Sequence, residues 1–207
     1  MPRNRGSVDG DGVASGGRKR EKPRFACTDF TVIRDTREQH PYEFRGLKGA
    51  SGAELIVKVA DRTLKSGDYS IEGMESRVSI ERKSLADLYS TLTHGRERFE
   101  RELDRLRSYD FSKVVIEASW LQIARCPPPG SQVLPKSILR SILAFEQRYP
   151  TRWAWYDTRA AAEAATFRTL ERFWFDDQQR IKEAARAAAL EAQQQHGVGQ
   201  REQGNSR

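Results

Sequence analysis

Four short stretches of this chain hold residues able to do chemistry together: Asp35-Thr-Arg-Glu38, Gly67-Asp68, Glu81-Arg82-Lys83 and, four residues on, Asp87. The acids fall at the ends of β-like runs. Period-two alternation over Arg77–Arg82 puts Glu81 and Lys83 on one face of a strand and Arg82 on the other. A hairpin turn at Gly73-Met-Glu-Ser76 brings Asp68 opposite the Glu81 region. Two carboxylates and one ammonium then converge at one edge of the sheet. Such hard oxygen ligands suit Mg²⁺, which takes one or two carboxylates plus waters and substrate phosphate. A metal there polarises a phosphodiester and acidifies a bound water. A lysine beside it orients that water or stabilises charge on the phosphate oxygens. The Arg82 carbonyl, between the acid and the lysine, faces the right way to serve as a backbone ligand. Singly these pieces are ordinary: Gly-Asp is a common turn, Glu-Arg-Lys a common solvated run, and Asp87 a helix-capping acid.

The elements that must position these residues alternate between strand and helix. Phe30-Thr-Val-Ile33, Leu55–Val59, the stretch through Gly67 to Ile71, and Arg77–Arg82 read as strands. Ser84-Leu-Ala-Asp87 opens a helix with a capping-box-like arrangement, its apolar stripe being Leu85, Leu88 and Leu92. Gly95 breaks it. Arg96–Tyr109 is a second amphipathic helix with Phe99, Leu103 and Leu106 on one face. Lys113–Glu117 is a buried strand, Cys126-Pro-Pro-Pro-Gly130 a loop, Pro135–Gln147 a helix and Arg152–Tyr156 a strand. The Ala-, Glu- and Arg-rich stretch from Thr158 to about Gln195 predicts one or two further helices. The fold class expected is therefore α/β, a central mixed sheet flanked by helices with a helical C-terminal extension. Residues 1–28 read as a disordered basic tail whose Arg18-Lys19-Arg20 cluster is available to phosphate, residues 29–157 as the domain, 158–195 as the extension and 196–207 as a frayed tail.

Composition bounds the function. The 207 residues carry 36 Lys and Arg against 29 Asp and Glu, a net charge of +7 and a pI near 9.6. That favours polyanionic partners. The first 28 residues hold seven basic and three acidic side chains, so +4 of the charge sits in the tail and +3 in the rest. No apolar run approaches the roughly 18–20 residues of a membrane span, and no apolar stretch follows the N-terminal Met1. The expectation is no membrane association, no secretory signal and a cytoplasmic location. Cys27 and Cys126 form no CxxC pair, and three histidines are too few for a His-rich zinc site.

Together the stretches match GD-(n)-ERK-x3-D, preceded by D-x-R-E. The chain thereby resembles the XPF-type nuclease family, of the PD-(D/E)XK, restriction-endonuclease-like group, over roughly residues 29–157. Its "DTREQ", "GDYSI" and "ERKS" runs look most like compact bacterial or phage members, which implies a nucleoid-associated enzyme. The resemblance implies a metal-dependent DNA endonuclease, with DNA repair, recombination or phage DNA processing as its setting and branched, flap or junction DNA among its substrates. It implies Mg²⁺, with Mn²⁺ as substitute, held by Asp68, Glu81 and the Arg82 carbonyl. Asp35, as a further metal ligand, and Glu38 would complete the acidic pocket, directly or through water, Lys83 would be the catalytic lysine, and Arg37 and Arg82 would contact phosphate or brace the carboxylates. Asp87 is both a family position and a helix N-terminal acid.

Neighbouring residues have plainer readings beside the functional ones. Arg96, at the loop nearest the metal end, is a DNA contact or part of a helix held by i,i+4 pairs; five basic and four acidic residues over 96–107 make no purely electrostatic clamp. His40 and His94 are partly exposed histidines before they are substrate contacts. Trp153, Trp155 and Tyr156 read as sheet core rather than stacking platforms. The helix-hairpin-helix elements of many XPF-type enzymes need hairpin glycines. After Gly130 this chain has only Gly197, Gly199 and Gly204, so the expectation is a chain without that module. Helix Pro135–Gln147 either forms a homodimer face or packs on the sheet. A non-catalytic DNA-binding scaffold and a ribonuclease with the same metal chemistry are the alternative functions.

Overall fold

The computed structural model describes residues 25–204, with side chains placed over 25–193. Six strands form one mixed sheet: β1 (Phe25–Asp35), β2 (Glu54–Arg62), β3 (Tyr69–Ile71), β4 (Val78–Lys83), β5 (Phe111–Ile116) and β6 (Arg152–Trp155), in the order β2-β1-β3-β4-β5-β6. The β3–β4 hairpin turns through Gly73, whose φ is +78°. It lies between β1, antiparallel to β3, and β5, parallel to β4. β1 and β4 consequently point the same way, and β3 starts where they end. The predicted meeting point at an edge is corrected on this basis: the acids lie at the ends of the central strands.

Alternation sorts side chains onto two faces. Val114 and Ile116 face one core with four helices: α1 (Leu85–Leu92), α2 (Arg96–Leu106), α3 (Trp120–Arg125) and α4 (Pro135–Arg148). Val115, with Val32, Ile71 and Ile80, faces the other core, closed by α5 (Arg159–Gly204) through Ala162, Phe167 and Leu170. β1 and β2 are parallel, yet the crossover joining them is an irregular segment over 36–53. Tyr42 and Phe44, fully buried within it, supply the apolar cover a crossover helix would give.

The helices begin where local chemistry allows. Ser84 Oγ accepts the Asp87 N–H at 3.1 Å and donates to the Asp87 carboxylate at 2.6 Å, capping α1. Pro135 occupies the first turn of α4, where no N–H is needed. Ser119 and Gln122 form a reciprocal capping box at α3, a helix the sequence reading missed because six residues span less than two turns. α4 packs on the sheet through Ile138, Ile142 and Phe145 and leaves Leu134 and Leu143 exposed. Trp153 and Trp155 pack against the same core, and Tyr156 against the opposite one.

Two predicted boundaries move. β1 already runs from Phe25, inside the expected tail, because Thr28 Oγ1 donates to the Phe30 carbonyl and accepts the Lys58 N–H from β2. α5 is a single helix that continues past residue 195 to Gly204, as Ala, Arg, Glu and Gln favour. The Arg18-Lys19-Arg20 cluster and residues 205–207 lie outside the described residues. Among the described residues, no helix is long and apolar enough to cross a membrane.

Candidate active site

The C-terminal ends of β1 and β4 and the start of β3 open onto a cleft of about 540 Å³. Its floor is built by backbone pairing. The Asp68 N–H donates to the Ile80 carbonyl at 2.8 Å, and the Asp68 carbonyl accepts the Asp35 N–H at 2.8 Å. Asp68 is thus stitched to both neighbouring strands. Its Oδ2 accepts the Arg82 N–H at 2.7 Å. In an extended strand the N–H and C=O of one residue point the same way, so the Arg82 carbonyl also faces the Asp68 side.

Glu81 and Lys83 share the helical face, as alternation requires. Lys83 Nζ donates to Glu81 Oε1 at 2.5 Å and lies 5.0 Å from the centre of the Phe99 ring. Both residues are buried. Burial, then the neighbouring Glu81 charge, pushes the Asp68 carboxyl well above its usual range. Burial likewise raises Glu81, against the pull of Lys83. Burial disfavours the Lys83 ammonium, but Glu81 outweighs it and raises Lys83, so the amine stays protonated.

Arg82 points to the opposite face. Its Nε and Nη2 donate to the two Glu117 carboxylate oxygens at 2.8 and 2.7 Å, and its Nη1 reaches Glu38 at 3.4 Å. The guanidinium lies 5.9 Å from the Tyr42 ring centre. Only 6% of the side chain is exposed. Of the two roles expected for Arg82, phosphate contact or brace, its side chain here takes the second: Glu117 at the end of β5 fills its fork.

Asp35 is held by donors from two segments. Its Oδ1 accepts the Arg37 N–H and Nε–H, and its Oδ2 accepts the Arg37 Nη2–H and the Leu64 N–H, all between 2.7 and 2.9 Å. Burial raises this carboxyl, but those donors outweigh it and hold it below the usual range. A carboxylate holding four donors ties down the turn after β1. Arg37 adds a bond to the Leu64 carbonyl yet remains largely exposed at the cleft rim. Glu38 accepts the His40 N–H at 2.6 Å and the Arg82 contact, which places it on the bracing network. Asp87 lines the cleft from the capped turn of α1.

Arg96 turns away from the cleft. It donates to Ser141 Oγ at 2.9 Å, pairs with Glu100 and lies 4.7 Å from the Phe145 ring centre. It joins α2 to α4. The next arginine, Arg98, lines the cleft with Lys65 and Arg105. His40 also lines it, whereas His94 is exposed and bonds Thr93. The sequence reading missed Glu102 and Glu117. Glu102 sits three residues after Phe99 at the margin of the buried stripe, a signal that was present; Glu117, 35 residues from Arg82, gave none.

The donor set defines what the floor can hold. Among the described residues no three His, Cys, Asp or Glu side chains are gathered as a self-sufficient metal cage. Asp68, Glu81 and the Arg82 carbonyl form instead a sparse oxygen set. Two buried carboxyls, both raised by burial and one raised further by the charge of the other, are what a divalent cation relieves. The residues fit an ion that keeps several of its own waters, as Mg²⁺ does.

A three-layer α/β domain with its acids at the ends of central strands has the restriction-endonuclease-like form. The ERCC4 domain model matches residues 34–165, well over half the chain. The chain belongs to that family, the XPF-type nucleases. It is similar to the solved XPF from Aeropyrum pernix, at 19% identity and a TM-score of 0.51, covering 74% of this chain and 69% of that one. A second structure, XPF from Aeropyrum pernix in complex with DNA, matches at 20% identity and a TM-score of 0.49, covering 72% and 66%. A search of curated proteins gave no match.

Proposed function

We propose that the protein is a metal-dependent DNA endonuclease that hydrolyses phosphodiester bonds. The observation that carries this is the cleft floor: Asp68, held on the Arg82 N–H, beside the buried Glu81–Lys83 pair. Family membership supports the nuclease class. Asp68, Glu81 and the Arg82 carbonyl would hold Mg²⁺ or Mn²⁺, which when bound polarises the phosphodiester and acidifies a water. Lys83, kept protonated and aimed by Glu81 and Phe99, stabilises negative charge on the phosphate oxygens. Arg37, Lys65, Arg98 and Arg105 at the rim attract the backbone of a nucleic acid without reading its sequence. The brace of Arg82 by Glu117 and Glu38 keeps β4 in place without adding charge to the floor.

The test is cleavage of a substrate panel (single strand, duplex, splayed arm, flap, nick, Holliday junction and matched RNA) in Mg²⁺, Mn²⁺ or chelator. The parent is expected to cut DNA only with metal. Asp68→Asn, Glu81→Gln and Lys83→Met are expected to lose about 10²-fold or more of the rate while circular dichroism shows the fold retained. Parent-like cutting by both acid variants overturns the assignment. Metal-independent binding without products favours a scaffold, and preferential RNA cleavage a ribonuclease.

A further inference from the structure

The turn that delivers Asp68 is held from a distance. Gly67 has φ of +76°, and a Cβ there would lie 2.0 Å from Ser79 Oγ and 3.1 Å from the Ile80 carbonyl oxygen. The turn is therefore pressed against β4, with no room for a side chain at Gly67. Three neighbours hold it by hydrogen bonds. Ser79 Oγ donates to the Ser66 carbonyl at 3.1 Å. From α2, Arg105 Nε donates to Ser66 Oγ at 3.0 Å, and Glu102 Oε1 accepts the Gly67 N–H at 3.0 Å. Glu102 and Arg105, three apart, lie on one face of that helix.

We infer that Glu102 is a positioning residue: its carboxylate fixes the Gly67 N–H, and through it the Asp68 carboxylate, so that α2 sets the geometry of the cleft floor. This deepens the proposed nuclease reading and rests on it. The peptide groups on either side of Gly67 are each tied, the first through the Gly67 N–H to Glu102 and the second through the Asp68 N–H to Ile80, so the glycine between them has little freedom to rotate. Without the Glu102 acceptor, the first of those peptide groups loses one of its ties. Asp68 then samples positions displaced from the Arg82 N–H that holds it. The role needs an acceptor oxygen and not a negative charge, which separates it from ligation or field effects. A side-chain amide oxygen serves equally well.

The test compares Glu102→Gln and Glu102→Ala in the full chain with ¹⁵N-glycine labelling. Hydrogen exchange at Gly67 and Mn²⁺ binding by calorimetry are measured on each. Glu102→Ala is expected to speed Gly67 exchange and weaken Mn²⁺ binding, each about tenfold, the loss of one charge-assisted hydrogen bond. Glu102→Gln is expected to stay within about threefold of the parent in both. Unchanged Gly67 exchange in Glu102→Ala overturns the inference, as does a Glu102→Gln variant as impaired as alanine, which would mark Glu102 as a ligand. A parent that binds no Mn²⁺ sinks the metal reading, while the exchange readout still decides the positioning role. Exchange accelerated across all glycines, with a lower melting temperature, marks a general packing role and also overturns it.

Discussion

Arg82→Met separates a brace from a nucleic-acid contact. The parent guanidinium holds Glu117 through two bonds and Glu38 through one, with side-chain exposures of 6, 9 and 7%. Removing one partner of a buried pair strands the other charge and costs about 3–5 kcal/mol. Two residual contacts soften that cost. Arg159 Nη1 still reaches Glu117 at 2.9 Å, and the His40 N–H still reaches Glu38. The loss is therefore expected near the low end, about 3 kcal/mol, with methionine filling most of the vacated volume. For a chain of this size that corresponds to a fall of roughly 6–12 °C in melting temperature. Urea and thermal unfolding measure it, and a salt series of DNA binding supplies the discriminating readout. A brace leaves the salt slope of log affinity unchanged. A phosphate contact lowers that slope by about one and leaves stability alone. A melting temperature within about 2 °C of the parent, together with the shallower slope, would refute the bracing argument.

Acid stability should reflect Asp35. Its carboxyl is held below the unfolded value by Arg37 and the Leu64 N–H, so its stabilisation is complete above the unfolded pKa of about 3.9 and is lost as pH falls through the folded one. Asp35→Asn is expected to be about 2–4 kcal/mol less stable at pH 7, since an amide faces several donors with fewer acceptors, and its stability should vary less with pH below about 4. Chemical unfolding at a series of pH values checks both, and parallel curves for the two proteins would contradict it. Gly67→Ala combines a left-handed backbone with a direct clash on Ser79. It should cost about 2 kcal/mol or more, read by urea midpoint, whereas Gly52→Ala, with open space around its Cβ position, should cost only its strained φ.

Much of the architecture was legible because it is written in local periods. Alternation over Val78–Lys83 separates Glu81 and Lys83 from Arg82, and the two sides prove chemically distinct, a helical face and a Tyr42–Glu117 face. Ser84 and Asp87 mark the start of α1 by a contact three residues apart. The apolar stripe Phe99–Leu103–Leu106 identifies the buried face of α2. Each signal spans a turn or a hairpin, so neighbouring residues suffice to produce it.

The roles of individual charges were not legible in the same way. Asp35 and Arg37 stand two apart and look like two members of an acidic and basic pocket, yet the Leu64 N–H arriving from 29 positions away joins Arg37 in tying Asp35 to the turn after β1. Arg96 and Arg98 are equivalent in sequence, and only the docking of α4, with Ser141 and Phe145, decides that the first is consumed in packing and the second lines the cleft. By itself the sequence determined which residue types meet at the strand ends, since alternation and turns act over a few residues. The tertiary structure decided which of those charges are neutralised, because strand order and helix docking choose partners 29 to 45 positions apart, and no local pattern encodes them.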